Sequence, residues 1–503
     1  MLSYSRLARS TWTLTRHRIP PFGVAAVTHE YPFYLAGQWE KSSRPLTVTN
    51  PYDDSVVATT WLADESNVEW ATVAAVEAAP AMRQLPAYRR AEILIKASAV
   101  LTRRRDEIGQ ALAGEAGKPI RDALTEVDRA AMTFHVACEE ARRLGGEVLP
   151  LDLAAHGRGR FGILRRVPLG PVAGISPFNF PLNLSAHKIA PAVAAGNTMV
   201  LKPASKTPLS ALFLAAALDE AGLPKGALSV LPMSRELGDR LVTDARFKLL
   251  TFTGSSPIGW AMKARAGKKK VLLELGGNAG VIIDANANLP YAAQRVVTGG
   301  FAYAGQSCIS VQRVFVHDDV YDAVAKLLVE RVSKLVVGDP LDPATDIGPM
   351  IDAGEVDRIE QWVNEAVAQG ARVLIGGSRI NRSTFAPTIL ENVPERSKVC
   401  AQEVFAPVIG LYRFNDFNEA MAAINRSDFG LQAGVFTNDL QHMLAAYDSI
   451  EAGGIIINDV PTWRVDHMPY GGVKDSGTGR EGPRYTIEEM TEPRLLVINQ
   501  AMA

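Results

Sequence analysis

The chain has 503 residues, a length for two or three domains, and its 47% hydrophobic and 21% charged residues exclude general disorder. A net charge of -1 offers no basic field for wrapping nucleic acid. Three cysteines (Cys138, Cys308 and Cys400) are too few for a disulfide framework, no CxxC or HExxH spacing points to a metal, and no apolar run reaches the ~18 residues of a membrane span.

Residues 1–29 carry Arg6, Arg9, Arg16 and Arg18, seven Ser or Thr and no acid, and without them the net charge of the remainder moves from -1 to -5. The composition fits a mitochondrial presequence and also a poorly ordered tail. The compartment expected is therefore the cytoplasm, or the mitochondrial matrix if the segment is a targeting peptide.

From Ser66 to Gly145 the pattern is helical, with Leu94, Ala97, Leu101, Ile108 and Leu112 at helical spacing. From Gly170 short apolar runs alternate with amphipathic stretches. Strands are predicted at Val172 to Ile175, Thr198 to Leu201, Leu228 to Leu231, Leu249 to Phe252 and Val271 to Leu275. Helices are predicted at Asn183 to Ala195, Pro208 to Ala221, Ser234 to Asp244 and Pro257 to Ala266. That alternation implies a parallel sheet covered on both faces. A second alternating region runs from Gly280 to about Gly477, with strands at Val281 to Ile283, Val311 to Val316, Ala433 to Phe436 and Gly454 to Ile457. The expectation is an α/β protein of two lobes.

Five local patterns carry chemistry. Cys308 follows a Gly-Gln-Ser turn and precedes a strand, where backbone amides would favour a thiolate; a lone cysteine is more often a small core residue, as Cys138 is expected to be. Glu274, between leucines at the end of an apolar strand, is expensive to bury unless partnered, and burial would lift its pKa toward that of a general base. The bland alternative is a charge at a loop mouth. Asn179, in Pro177-Phe178-Asn179-Phe180-Pro181, offers an uncharged NH2 for an oxyanion, or is a turn asparagine. Gly254-Ser255-Ser256-Pro257-Ile258-Gly259 opens a helix after a strand and can hold a pyrophosphate, although it is neither a P-loop nor GxGxxG. Lys202 ends a strand of the doubly wound sheet, where nucleotides bind; otherwise it is a solvated lysine.

Together and in order these segments resemble the aldehyde dehydrogenase superfamily over residues 31–498. The motifs are PFNFP at Asn179, KPAS at Lys202, FTGSSPIG, LELGG at Glu274, GQSC at Cys308, EVFAP at Glu403 and Phe405, and MPYGGVKDSGTGREG from Met468 to Gly482, with 34 residues from Glu274 to Cys308. The resemblance implies a Rossmann-like cofactor domain (31–150 and 172–279), a catalytic α/β domain (280–482) and a β-strand oligomerisation extension (151–171 and 483–503) that builds a homodimer or homotetramer. It implies Cys308 as nucleophile, Asn179 as oxyanion donor, and Glu274 as the base that activates water to hydrolyse a thioester. It places NADP or NAD on Lys202, Ser205, Pro177, Phe178, Gly254, Ser255, Ile258, Gly276, Glu403 and Phe405. No metal, nucleic acid or membrane partner is expected.

Many NAD-specific relatives have glutamate where this chain has Ser205. Serine removes the repulsion of a 2′-phosphate, and Lys202 or Lys206 is expected to pair with it, so NADP acceptance is predicted. Ala406, where glycine is commoner, is given no consequence. The substrate tunnel is expected from Phe180, His187, Ser307, Arg464 and Tyr470. Relatives acting on succinate semialdehyde hold its carboxylate with arginines where this chain has His187 and Ala302, which speaks against that substrate. The stretch from Trp463 to Tyr470 is similar to lactaldehyde-type relatives. Arg464 would favour a small polar or anionic aldehyde; otherwise it pairs with Asp466 or lines a subunit contact. The competing activities are CoA-dependent acylation by a semialdehyde dehydrogenase, which Glu274 speaks against, and cysteine hydrolase chemistry without nicotinamide, for which His187 or His467 would have to approach Cys308. A non-catalytic structural role is opposed by the intact Cys308, Glu274 and Asn179.

Overall fold

The computed structural model describes residues 29–500. The reading of residues 1–29 as a presequence or tail lies outside the described residues, save for His29.

The segment 65–143 folds as four helices, the last being Ile120–Arg143. Ala123, Val127, Ala130, Phe134 and Ala137 recur on its buried face, and Arg142 and Arg143 in its last turn complement the helix dipole. The buried Glu126 shares that face. It carries a function described below.

The first large sheet has the order Gly477–Thr478, Lys270–Glu274, Leu249–Thr253, Pro171–Ile175, Thr198–Lys202, Leu228–Val230, Phe33–Leu35 and Gln38–Glu40. Its five central strands are parallel, and antiparallel pairs close both edges. The crossover helices are Pro181–Ala195, Leu209–Glu220, Arg235–Thr243 and Ser256–Arg265, within two residues of the expected boundaries. Pro171–Ile175 comes first in the chain among the five but lies between the second and the fourth. Chain order reverses there, which opens a crevice beyond the carboxyl ends of the strands.

The second sheet has seven strands: Arg372–Ile375, Thr388–Glu391, Val408–Phe414, Val311–His317, Ala279–Ile283, Gln432–Phe436 and Gly454–Ile457. All are parallel except the first. Each sheet has its own apolar core.

A third, three-stranded sheet pairs Thr491–Asn499 with Arg160–Pro168 and the latter with Gly146–Pro150. Two segments cross the boundaries read from the sequence. Gly146–Pro150 joins this third sheet, and Ile487 and Met490 pack into the core of the first domain. Among the described residues no helix is long and apolar enough to cross a membrane.

Candidate active site

The site is assembled from loops at the carboxyl ends of four neighbouring strands. Pro177, Phe178 and Asn179 follow Pro171–Ile175, and Lys202 ends Thr198–Lys202. Gly254 and Ser255 follow Leu249–Thr253, and Glu274 ends Lys270–Glu274. The second domain contributes Cys308, Glu403 and Phe405 from the opposite side.

Local backbone geometry aims Cys308. Tyr303, Ala304 and Gly305 all have positive φ (48°, 53° and 69°), a left-handed run that costs energy at the two non-glycine positions. At Gly305 a Cβ would run into the Ala406 carbonyl, so the backbone of EVFAP packs directly under the turn. The buried Gln306 locks it: its Nε2 donates to the carbonyls of Tyr303 (3.3 Å) and Pro349 (3.4 Å), and its Oε1 accepts from the Ile351 amide (2.8 Å). Asn179 Nδ2 donates to the Gln306 carbonyl (3.1 Å), which fixes the carboxamide beside the turn that bears the thiol.

Cys308 is half-buried, and its Sγ lies 2.9 Å from the Tyr470 hydroxyl. The expected turn-stabilised thiolate is not found. Burial pushes the thiol up to about 12, and the negative charges of Glu403 and Glu274 add to it; the Tyr470 hydrogen bond and the Arg464 charge offset only part. The thiol therefore rests mainly protonated, and its proton leaves as the sulfur reacts.

Glu274 is 4% exposed, and its Oε2 has no hydrogen-bond partner. Burial first, and then the Glu481 charge, hold its carboxyl well above the usual carboxylate range, against the pull of Arg464, Lys188 and Arg480. This is the environment of a buried carboxyl rather than of a solvated charge at a loop mouth. Glu403 is lifted to about 7 by burial, although it accepts from the Gly277 amide (2.9 Å). A Cβ on Gly276 would strike its carboxylate, so a side chain there would displace Glu403. Phe405, itself at φ 48°, meets Phe178 edge to face at 5.9 Å.

Lys202 is 8% exposed, and among the described residues its Nζ hydrogen-bonds only to the Pro203 carbonyl (3.4 Å). Burial and the neighbouring Arg235 pull it down to about 8. Lys206, the other lysine expected to meet a phosphate, faces Asp352 instead (3.7 Å). Arg235, not singled out in the sequence, lies near enough to Lys202 for its charge to act on it. It opens the helix Arg235–Thr243, where a cation opposes the helix dipole, and among the described residues no carboxylate lies within 4 Å of it. Ser205 is exposed, and Ile258 is 43% exposed at the start of Ser256–Arg265.

Beside Cys308 opens a cavity of about 190 Å³, lined by Phe180, Tyr303, Ser307, Tyr470, Arg129 and Arg464 among others. Ala302 also lines it. His187 does not. It is fully buried behind the wall, with Nε2 2.9 Å from Asp466 Oδ1 and 3.4 Å from Arg464 Nη2. Asp466 is gripped from three sides: Arg129 donates two hydrogen bonds (2.8 and 3.1 Å), Asn183 Nδ2 one (2.9 Å), and His187 sits on the same oxygen as Asn183. Burial alone would raise Asp466, but these partners outweigh it and hold the carboxyl below the ordinary range.

The expected alternative pairing of Arg464 with Asp466 is therefore taken by Arg129. The buried Arg464 guanidinium stacks on Tyr470 (3.7 Å to the ring centre) and stands 3.7 Å from Glu481, with its Nε unpartnered. Among the described residues no group of three or more His, Cys, Asp or Glu could hold a metal.

The aldehyde dehydrogenase family profile matches residues 39–496. The 3-sulfolactaldehyde dehydrogenase of Priestia aryabhattai is 46% identical over 471 residues, covering 93% of this chain and 98% of its own. The crystal structure of aldehyde dehydrogenase 21 from Physcomitrella patens, in complex with the reaction product succinate, is similar at TM-score 0.93 and 48% identity, covering 94% of this chain and 99% of that one. The NADP complex of glyceraldehyde-3-phosphate dehydrogenase from Methanocaldococcus jannaschii gives TM-score 0.87 at 38% identity, covering 91% and 100%. With the thiol, amide and carboxylate gathered at a sheet switch point and this likeness running along the chain, the protein belongs to the aldehyde dehydrogenase family of oxidoreductases.

Proposed function

We propose that this protein oxidises a small aldehyde with an anionic far end to the corresponding acid, with NADP or NAD as hydride acceptor. The observation that carries the substrate class is one cavity holding both the Cys308 thiol and the Arg464 guanidinium, whose Nε has no protein partner. A carboxylate or sulfonate in that cavity would pair with the guanidinium charge. The relatives named for sulfolactaldehyde and crystallised with succinate have substrates or products of that chemistry.

The residues present fit a dinucleotide. The amides at the start of Ser256–Arg265 suit its pyrophosphate, Lys202 and Arg235 form an anion-seeking pair beside Ser205, and Glu403 is poised over Gly276 to take ribose hydroxyls. When bound, the nicotinamide supplies the hydride acceptor. Cys308 adds to the carbonyl carbon while its proton is released through the cavity to bulk water, and Asn179 donates to the developing oxyanion. After oxidation the acyl group remains on Cys308 as a thioester. Glu274 takes a proton from the water that hydrolyses it. An intact Glu274 favours water over CoA as acceptor. The three-stranded sheet exposes Leu495, Leu496 and Val497 in succession, so both of its faces present apolar side chains; this supports its reading as the extension that builds a homodimer or homotetramer.

Absorbance of reduced cofactor over an aldehyde panel, with and without CoA, tests the activity. The wild-type enzyme should prefer carboxylate- or sulfonate-ended aldehydes to neutral ones of equal length. Arg464→Met should raise KM for the anionic substrates by about 10²-fold. Equal use of neutral and anionic aldehydes would defeat the substrate class. For the cofactor, Arg235→Ala should weaken NADP binding about tenfold or more and leave NAD binding nearly unchanged, read by fluorescence titration. An equal effect on both cofactors would remove Arg235 from the phosphate site.

A further inference from the structure

The helix Ile120–Arg143 presents four polar side chains to the cavity: Asp122, Thr125, Glu126 and Arg129. They fall at i, i+3, i+4 and i+7, one stripe of an α-helix. Three of them are already engaged. Thr125 donates to the Arg121 carbonyl (2.9 Å). Glu126 pairs with the buried Lys118 and accepts from the amides of Leu182 (3.0 Å) and Asn183 (3.1 Å), capping the helix Pro181–Ala195. Arg129 is held by both oxygens of Asp466.

Asp122 differs. Its carboxylate is half-buried at the cavity wall and makes no hydrogen bond or ion pair with any described residue. Burial raises it, and the nearby Lys118 charge opposes that rise. Ser307 and Thr462 also line the cavity, but a hydroxyl donates or accepts, so they set no requirement on a ligand's sign. An ionised carboxylate only accepts, and a guanidinium only donates. The cavity wall therefore presents Asp122, an acceptor without a protein partner among the described residues, together with the guanidinium donors of Arg464 and Arg129.

We infer that Asp122 is a specificity-determining residue that accepts a hydrogen bond from a hydroxyl or ammonium group on the substrate, in addition to the anionic group that faces Arg464. This rests on the anionic-aldehyde reading above and narrows it. The favoured substrates are small aldehydes carrying both an acid group and a hydrogen-bond donor. A site built to accept from a substrate donor discriminates strongly against the analogue lacking it, because the protein group is then left desolvated without a partner.

The test compares kcat/KM for two three-carbon sulfonate-ended aldehydes, one with a hydroxyl on the carbon next to the carbonyl and one without. A carboxylate-ended pair with and without an ammonium group forms the second arm. Wild type should favour the donor-bearing member of at least one pair by about tenfold or more, and the arm that responds identifies the donor. Asp122→Ala should bring that ratio to about one, with the loss carried in KM. Asp122→Asn keeps an acceptor oxygen but not the charge, so it should retain a hydroxyl preference and lose an ammonium preference. Absence of any donor preference in wild type, or an unchanged ratio in Asp122→Ala, would overturn the assignment. A neutral pair with and without the hydroxyl separates the two readings: if wild type uses neutral aldehydes as well as anionic ones, the Arg464 reading fails, and the donor ratio still decides Asp122.

Discussion

Alanine at Cys308 should lower aldehyde oxidation by at least about 10⁴-fold in kcat/KM, with cofactor titration showing the site still formed. The effect is this large because no second nucleophile is available at the reacting centre. Ser307, the neighbouring cavity hydroxyl, lies in the same turn but has none of the thiol's intrinsic nucleophilicity. Glu274 and Glu403 surround the sulfur with negative potential, and Tyr470 holds it at 2.9 Å. Burial, helped by those charges and opposed by the Tyr470 hydrogen bond, keeps the thiol protonated at rest. Turnover of the alanine variant within tenfold of wild type would show that the chemistry runs elsewhere.

Glutamine at Glu274 should separate the two halves of the reaction. A single burst of reduced cofactor, near one per site, should survive in stopped flow, and steady-state kcat should fall by about 10² to 10³-fold because water is no longer deprotonated. The pH profile gives an independent reading. Glu274 works in its deprotonated form, and burial together with Glu481 raises its pKa well above the ordinary carboxylate value. Wild-type kcat should therefore fall as pH drops through that raised value, at higher pH than a solvated glutamate would give, and the variant should lose this limb. A glutamine enzyme that turns over at the wild-type rate would remove Glu274 as the base.

What was legible in the sequence follows from sheet geometry. Buried parallel strands are short apolar runs, and the loops at their carboxyl ends carry glycine, proline and polar residues in readable order, so Asn179, Lys202, Gly254 and Glu274 could be placed by the strands they follow. What escaped depends on contacts far apart in the chain. Arg129 and Asp466 are 337 positions apart, and nothing local in either segment announces that they meet. The protonation of Cys308 likewise depends on more than its own turn. The turn favours a thiolate, but burial by elements from both domains outweighs it. His187 looked like a tunnel residue from its alignment with arginines in relatives, yet it supports Asp466 from behind the wall.

Two residues had usable signals that went unread. Arg235 stands at a helix start, where the dipole disfavours a cation unless an anion is to be bound. Glu126 lies on the apolar face of a helix, a position that requires partners for its charge. Gly146–Pro150 begins with glycine and ends with proline, both poor strand formers, and only its pairing with Arg160–Pro168 makes it a strand.

The most direct test of the central claim is peptide mass spectrometry of the Glu274→Gln enzyme, quenched after mixing with an anionic aldehyde and NADP. The mechanism predicts the substrate's acyl group, one hydrogen lighter than the aldehyde, replacing the thiol hydrogen on the peptide that contains Cys308, in an amount matching the cofactor reduced. Reduced cofactor without that adduct, or the acyl group on any other residue, would contradict it.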